Sequence, residues 1–250
     1  MSQHGISVNS PQPTMMPFSL SVIIPTLDEE ASISRAIRSC REAGPCEVVV
    51  VDGGSRDRTV EIARGTADTV ISASRGRAVQ MNAGAAAARG EILLFLHADT
   101  LLPPGSVTAV LDSLRDPAVI GGAFRVRLAP SPGAGRYVRA TLAITGRMIG
   151  VRGAVSRSYS GDQAIFVRTE AFRAVGGYPE IPLMEDVELS RRMRRAGKTI
   201  LLPLRVDTSG RRWEAWGPFR TVQFMWRLRI GHLLGRSPSR SAEAYRRGPD

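Results

Sequence analysis

The chain has very little cysteine and almost no lysine. Cys40 and Cys46 are too few for a disulfide framework and have no neighbours with zinc-ligand spacing. They read as two reduced thiols of a reducing compartment, which places the chain in the cytoplasm. No apolar run approaches the ~18–20 residues of a membrane-spanning helix. The first eighteen residues, MSQHGISVNSPQPTMMPF, lack both a basic n-region and an apolar h-region, so they read as a loose polar tail and not as a secretory signal. Gly-x-Gly-x-x-Gly does not follow the first strand, and no Walker A sequence occurs, which excludes a phosphate cradle built from backbone alone. Lys198 is the only lysine; every other base is arginine.

What is present is a composition that can bury a core: 250 residues, 43% hydrophobic and 23% charged. The net charge of +11 is uneven. Residues 1–124 carry 10 bases and 13 acids, a net of −3; residues 125–250 carry 24 bases and 10 acids, a net of +14. The second half should therefore attract something anionic, such as a diphosphate, an acidic acceptor or membrane headgroups. Its arginines are scattered and no nucleic-acid-binding module is recognisable, so no nucleic-acid partner is expected.

Strands are expected at Leu20–Pro25, Glu47–Val51, Thr69–Ser72 and in the unbroken apolar run Ile92–Leu96. Helices are expected over Glu30–Glu42, from Asp57 through Arg64, over Ala78–Arg89 and from Pro103 to Leu114. This alternation argues for an α/β chain with a doubly wound, mostly parallel central sheet flanked by helices. Beyond Gly121 the pattern loosens. Gly122–Leu128 alternates like a half-exposed strand, Gly133–Ile149 reads as a basic helix, Ala164–Arg168 and Thr199–Pro203 as strands, and Met184–Ala196 as a helix with acids first and arginines last. The division expected is a tail over 1–18, a catalytic domain over 19–208 and an Arg/Trp-rich helical extension over 209–250 that packs on the domain. Its amphipathic segment Phe219–Leu234, with Arg220, Arg227 and Arg229, suits either a lid or peripheral contact with a membrane surface.

Two buried strands run into acids, Asp52 and Asp99. In a parallel sheet both lie at the carboxyl edge, where open α/β sheets bind ligands. Asp99 follows His97 by two residues, so in extended chain the two side chains point the same way and can share a divalent metal that in turn holds a diphosphate. Glu185-Asp186 opens a helix; capping explains it, and so does a general base that takes a proton from an attacking hydroxyl. Asp162 and Gln163 stand at the entry of a strand and are candidates for turn chemistry or for binding acceptor hydroxyls. Arg211-Arg212-Trp213 joins two guanidiniums to an indole, which suits diphosphate contact and sugar stacking. His232 is a further candidate metal ligand late in the chain.

Taken in order, SVIIPTLDEE, VVVVDGGSRDRT, RGRAVQMNAGA, ILLFLHADT, GGAF, GDQAIFV, GGYPEIPLMEDVELSRRMRRAG and SGRRWE resemble a family-2 glycosyltransferase of the GT-A fold over residues 19–217. HADT, GDQAIF and PLMEDVEL are similar to a bacterial subgroup labelled arsenosugar-biosynthesis-type glycosyltransferases. The resemblance implies an inverting, metal-dependent transferase using Mg²⁺ or Mn²⁺, a nucleotide-diphosphate sugar (a UDP-sugar in most of the family) and a hydroxyl acceptor of unknown identity. It implies that Pro25, Thr26 and Glu29 line the nucleotide pocket, that Asp52 binds the base, and that Arg77 lies near base or diphosphate. Asp99 would be the ligand of the Asp-x-Asp motif, and Asp186 the base, with Glu185 beside it. Arg211, Arg212 and Trp213 resemble the Arg-Trp motif of processive members. The glutamine that begins that motif is absent, as are membrane helices, which argues against a polysaccharide synthase. The first Asp of Asp-x-Asp is His97 here; it suits Mg²⁺ less well than a carboxylate does, and contact with ribose or diphosphate is its alternative role. Readings of another class are a catalytically weak nucleotide-sugar-binding protein and, less in keeping with the motifs, a basic nucleic-acid-binding protein.

Overall fold

The structure is a computed structural model that describes residues 19–248; the expected N-terminal tail lies outside the described residues. The elements run β1 (Leu20–Thr26), α1 (Ile33–Ala43), β2 (Glu47–Asp52), α2 (Thr59–Arg64), β3 (Thr69–Ser72), α3 (Arg77–Ala87), β4 (Ile92–Phe95), β5 (Thr100–Leu101), α4 (Ser106–Ser113), β6 (Val119–Ala129) and α5 (Arg136–Ser156). A single 3₁₀ turn at Gly161–Gln163 follows, then β7 (Ile165–Arg168), α6 (Thr169–Ala174), α7 (Glu185–Ala196), β8 (Lys198–Ser209), α8 (Arg211–Trp216), α9 (Pro218–Leu233) and α10 (Pro238–Arg247).

The eight strands form one sheet in the order β3-β2-β1-β4-β7-β6-β8-β5. β1 pairs in parallel with β2 and β4, β2 with β3, and β6 with β8; β7 runs antiparallel to β4 and β6. Register matters for the site. Thr26 pairs with Asp52 and Ile23 with Phe95, so the first two expected acid-bearing strands do end on one edge. β1, β2 and β4 are buried on both faces, which is why they read as continuous apolar runs. Val22, Ile24, Val48 and Val50 pack toward α1; Ile23, Val49 and Val51 pack toward α3 and the α6–α7 side. α3 can lie this close because of Gly84: a Cβ there would meet Val51 Cγ2 at 2.9 Å and collide with Ile23. Phe124 and Phe166 meet edge to face at 5.9 Å in the sheet's second half, both fully buried. Burying a ring of this size contributes roughly 1.5–3 kcal/mol.

Several elements are longer than their local signals suggest. β8 continues six residues past Pro203. Phe124 pairs with Leu202 and Arg125 with Arg205, so Pro203 and Leu204 form a bulge that absorbs the missing amide donor. α5 runs to Ser156 because its glycines are buried and do not break it; at Gly146 and Gly153 a Cβ would come within 3.1 Å of Val126 O and 3.0 Å of Gln163 Nε2. The extension forms three helices, and Phe224, Leu228 and Ala242 close a third apolar cluster with Leu183 and Met184, the residues that lead into α7. None of the helices among the described residues is long and apolar enough to cross a membrane.

Candidate active site

A cleft of about 530 Å³ opens at the carboxyl edge of β1 and β4. Its walls include the end of β1 (Pro25, Thr26, Glu29), the start of α3 (Arg75, Arg77), the His97–Asp99 segment, the Ser160–Asp162 turn, the start of α7 (Glu185, Asp186) and the end of β8 (Thr208, Ser209). The extension closes it with Arg211, Arg212, Trp213, Arg229 and Tyr245.

His97 and Asp99 do not share extended backbone. β4 ends at Phe95, and the Thr100 amide donates to the His97 carbonyl at 3.0 Å, closing a turn. The two side chains therefore take different partners, contrary to the alternation expected of a strand. His97 Nδ1 stands 3.3 Å from Asp162, while Asp99 lies 3.9 Å from Arg211 Nη2. His97 Nε2 is buried with no hydrogen-bond partner. It abuts Gly161, where a Cβ would come within 2.5 Å of it. Among the described residues, no three His, Cys, Asp or Glu side chains converge on a common point that could hold a metal ion. Asp99, about a third exposed and turned into the cleft, is the hard oxygen donor available there.

The α7 start holds two carboxylates in different states. Asp186 is fixed by backbone donors: Gly161 N–H to one oxygen and Val187 N–H to the other, both at 2.7 Å. Asp186 thereby ties α7 to the 3₁₀ turn carrying Asp162. Glu185 is 4% exposed and meets Arg77 at 3.3 Å. Burial raises its carboxyl above the ordinary value, Asp186's charge adds to this, and Arg77 opposes it. The turn into α7 is strained, since Met184 is buried at φ 69°. For Asp162, burial would raise the carboxyl, but the His97 hydrogen bond and the charges of His97, Arg77 and Arg212 outweigh it and bring it down to about 2. Arg212 lies over the Tyr245 ring at 4.8 Å and donates to its hydroxyl.

The Glu185 shift gives a signed prediction. Its folded-state value is raised, so its contribution to stability is full below the ordinary glutamate value and is lost as pH rises through the raised one. Glu185→Gln mimics the protonated form. Its unfolding midpoint relative to the parent should therefore climb as pH rises above about 4.3, the ordinary glutamate value. A difference that stays flat above that value would contradict a desolvated Glu185.

Three sequence candidates lie outside the cleft lining. Asp52 is spent on its own turn, accepting from Gly54 N–H at 2.9 Å, Ser55 N–H at 3.1 Å and Ser55 Oγ at 2.5 Å. Gln163 is fully buried and faces inward: its amide donates to the Phe124 carbonyl at 3.1 Å and accepts from Ser160 N–H and Arg152. His232, in the last turn of α9, is not in the lining, whereas Arg229 one turn earlier is. Conversely, the sequence reading did not place Arg229, Tyr245, Ser160 or Gln80 in the site. Gln80 clamps the edge by donating to the Thr26 and Val51 carbonyls at 2.8 and 2.9 Å. A signal for Arg229 did exist: Val222, Met225, Trp226 and Arg229 recur at helical spacing. Neither thiol enters the chemistry, because burial raises Cys40 far above, and Cys46 to about 11, while both lie inside the core behind α1.

A family model for glycosyl transferase family 2 matches residues 21–169. The chain is 29% identical over 119 residues to the undecaprenyl-phosphate 4-deoxy-4-formamido-L-arabinose transferase of Pseudomonas paraeruginosa, covering 42% of this chain and 35% of that protein. It is 31% identical over 111 residues to an uncharacterised glycosyltransferase of Nostoc sp., covering 41% and 34%. The chain thus spans about a third of the length of these relatives, and neither bears an arsenosugar name. Among solved structures, a mannosyltransferase from Pyrobaculum calidifontis in complex with GDP-Man and Mn²⁺ superposes with a TM-score of 0.63 at 23% identity, over 80% of this chain and 59% of that one. S. aureus TarS 1–349 with UDP gives a TM-score of 0.61 at 18% identity, over 76% and 60%. At these identities the likeness shows a shared fold, of the GT-A type.

Proposed function

The chain belongs to glycosyl transferase family 2, and we propose that it is an inverting, metal-dependent glycosyltransferase moving a sugar from a nucleotide-diphosphate donor, a UDP-sugar in this reading, to an acceptor hydroxyl in the cytoplasm. The observation that carries the proposal is the cleft itself. A hard carboxylate, Asp99, stands on one wall, a backbone-fixed carboxylate, Asp186, on another, and Arg77, Arg211 and Arg212 line the space between. Arginines are suited to a diphosphate's paired oxygens. Asp186 takes the proton from the acceptor hydroxyl as its oxygen attacks the anomeric carbon. The bond from that carbon to the diphosphate oxygen breaks, and its electron pair leaves with the nucleotide diphosphate. Attack from the opposite face inverts the anomeric centre, and no protein nucleophile is needed.

Asp99 is the residue that would hold Mg²⁺ or Mn²⁺. The ion, when bound, neutralises charge developing on the leaving diphosphate. His97, in its present rotamer, is committed to Asp162 and acts on the site by positioning that carboxylate. Pro25, Thr26 and Glu29 fit the nucleotide side of the cleft, and Asp162 and Trp213 the acceptor side.

A thermal-shift screen of UDP- and GDP-sugars with MnCl₂ or MgCl₂ tests this. At a hundredfold excess over Kd, the right donor should stabilise the chain by about 2.7 kcal/mol. Asp99→Asn should remove the metal-dependent part of that shift. If no nucleotide sugar stabilises the parent chain with either metal, the proposal fails.

A further inference from the structure

Behind the cleft, a narrow apolar channel runs between α5 and α9. Each helix presents one stripe to it at i, i+3, i+4, i+7 spacing: Thr145, Met148, Ile149, Arg152 on α5, and Val222, Met225, Trp226, Arg229 on α9. Both stripes end in an arginine. At that end the channel meets the cleft at Ser160, Asp162, Trp213, Met225 and Arg229, which line both spaces. Along its outer side it shares Met148, Arg152 and Trp226 with an open, almost wholly apolar hollow that adds Ile144, Val151 and Val155. Those three are 54%, 64% and 82% exposed. Arg147, exposed, lines the hollow at the surface.

The arginine pair is unusual for a site so close to carboxylates. Arg152 donates to the neutral oxygens of Ser160 at 3.3 Å and Gln163 at 3.1 Å, and its Nε is buried with no partner. Neither Arg152 nor Arg229 forms an ion pair among the described residues, although Asp162 and Asp186 attract both at longer range. Burial lowers both guanidiniums, Arg152 to about 10, where the charge of Arg229 adds to the effect. Two cations held together in a partly dry site call for an anion between them.

We infer that the acceptor is a membrane lipid whose headgroup carries both an anionic phosphate, held by Arg152 and Arg229, and the hydroxyl that gives its proton to Asp186, with its apolar chain leaving along the α5–α9 channel to the exposed hollow. This rests on the glycosyl-transfer reading and names the acceptor class for it. Charge decides the occupant: the channel is mostly apolar and carries two arginines, which matches the headgroup and chain of an anionic amphiphile, and Arg147 at the hollow suits the anionic surface around it. An apolar partner protein would leave the inner arginines unmatched.

The test uses the full chain and two probes, decyl phosphate in monomeric solution and vesicles of phosphatidylcholine with or without phosphatidylglycerol. Decyl phosphate should bind at least about tenfold more tightly than decanol or inorganic phosphate, and Arg152→Gln and Arg229→Gln should each lose about tenfold. The chain should float with the anionic vesicles only. Val151→Glu and Val155→Glu, on the exposed wall, should abolish flotation without changing the melting temperature. Undiminished decyl phosphate binding in both arginine variants, or flotation that survives both glutamate variants, overturns the inference. So does self-association through this face without vesicle binding. Nucleotide-sugar stabilisation is measured on the same samples. Its absence from the parent chain would overturn the transfer reading, and it is read independently of the lipid probes.

Discussion

Asp186→Asn should reduce sugar transfer by about 10²–10⁴-fold while leaving nucleotide-sugar binding nearly unchanged, because a positioned general base is worth that much and a ground-state donor contact is not involved. The geometry sets up a clean test. Asparagine keeps the side-chain oxygen that can accept from Gly161 N–H, so the link between α7 and the 3₁₀ turn survives. What is lost is the second acceptor, which faces Val187 N–H, and with it the carboxylate's capacity to take a proton. The expected signature is a fall in kcat with the donor-dependent thermal shift retained and the melting temperature lowered only slightly. Full transfer by the variant would remove Asp186 from the reaction and leave Glu185 or Asp162 as the carboxylate to examine.

What the sequence shows differs from place to place along the chain. The ends of β1, β2 and β4 were legible because doubly buried strands are written as unbroken apolar runs, and the parallel register then brings their ends to one edge. His97-Ala98-Asp99 was half legible. Composition marked it as chemistry, but whether a strand continues or turns after Phe95 depends on one hydrogen bond, from Thr100 to His97, that no local signal announces. The same holds for Asp52, where an acid before Gly53-Gly54-Ser55 can face a ligand or close its own turn; here the turn takes both oxygens. Arg229 shows a different gap. In the sequence it is one of three arginines on an amphipathic helix suited to a lid or to a membrane surface, and its spacing from Met225 and Val222 puts it on the stripe that faces α5. Charge suggested the surface and periodicity the interior, and periodicity prevails when the helix is covered by a neighbour, here α5. Glu47 is the converse. It is a fully buried acid whose oxygens are taken by Ser21 and by the Arg89 backbone and side chain, so burial of a carboxylate does not by itself mark a site.

Arg77→Ala should be the most damaging change in the cleft that touches no reacting atom. Arg77 is the cation nearest to Glu185, and its charge also counters Asp186 and Asp162; those carboxylates hold it fully charged against a burial cost that acts the other way. Removing it leaves Glu185, 4% exposed, without its partner. A wholly buried pair broken in this way costs about 3–5 kcal/mol; Arg77 is 41% exposed, so solvent screening brings the expected loss to about 1–3 kcal/mol. The cleft also becomes more negative, and a diphosphate should bind about tenfold more weakly, roughly 1.4 kcal/mol. The two effects separate in the double variant. Adding Glu185→Gln removes the stranded charge, so the double variant should recover at least about half of the lost unfolding free energy, a coupling within the range for contacting groups. Donor affinity should stay low, because the neutral glutamine restores no cation for the phosphates. Unfolding curves for the four chains of this cycle, read beside nucleotide-sugar titrations, check both parts. Recovery of donor affinity along with stability would mean that Arg77 acts only by supporting Glu185 and does not meet the donor.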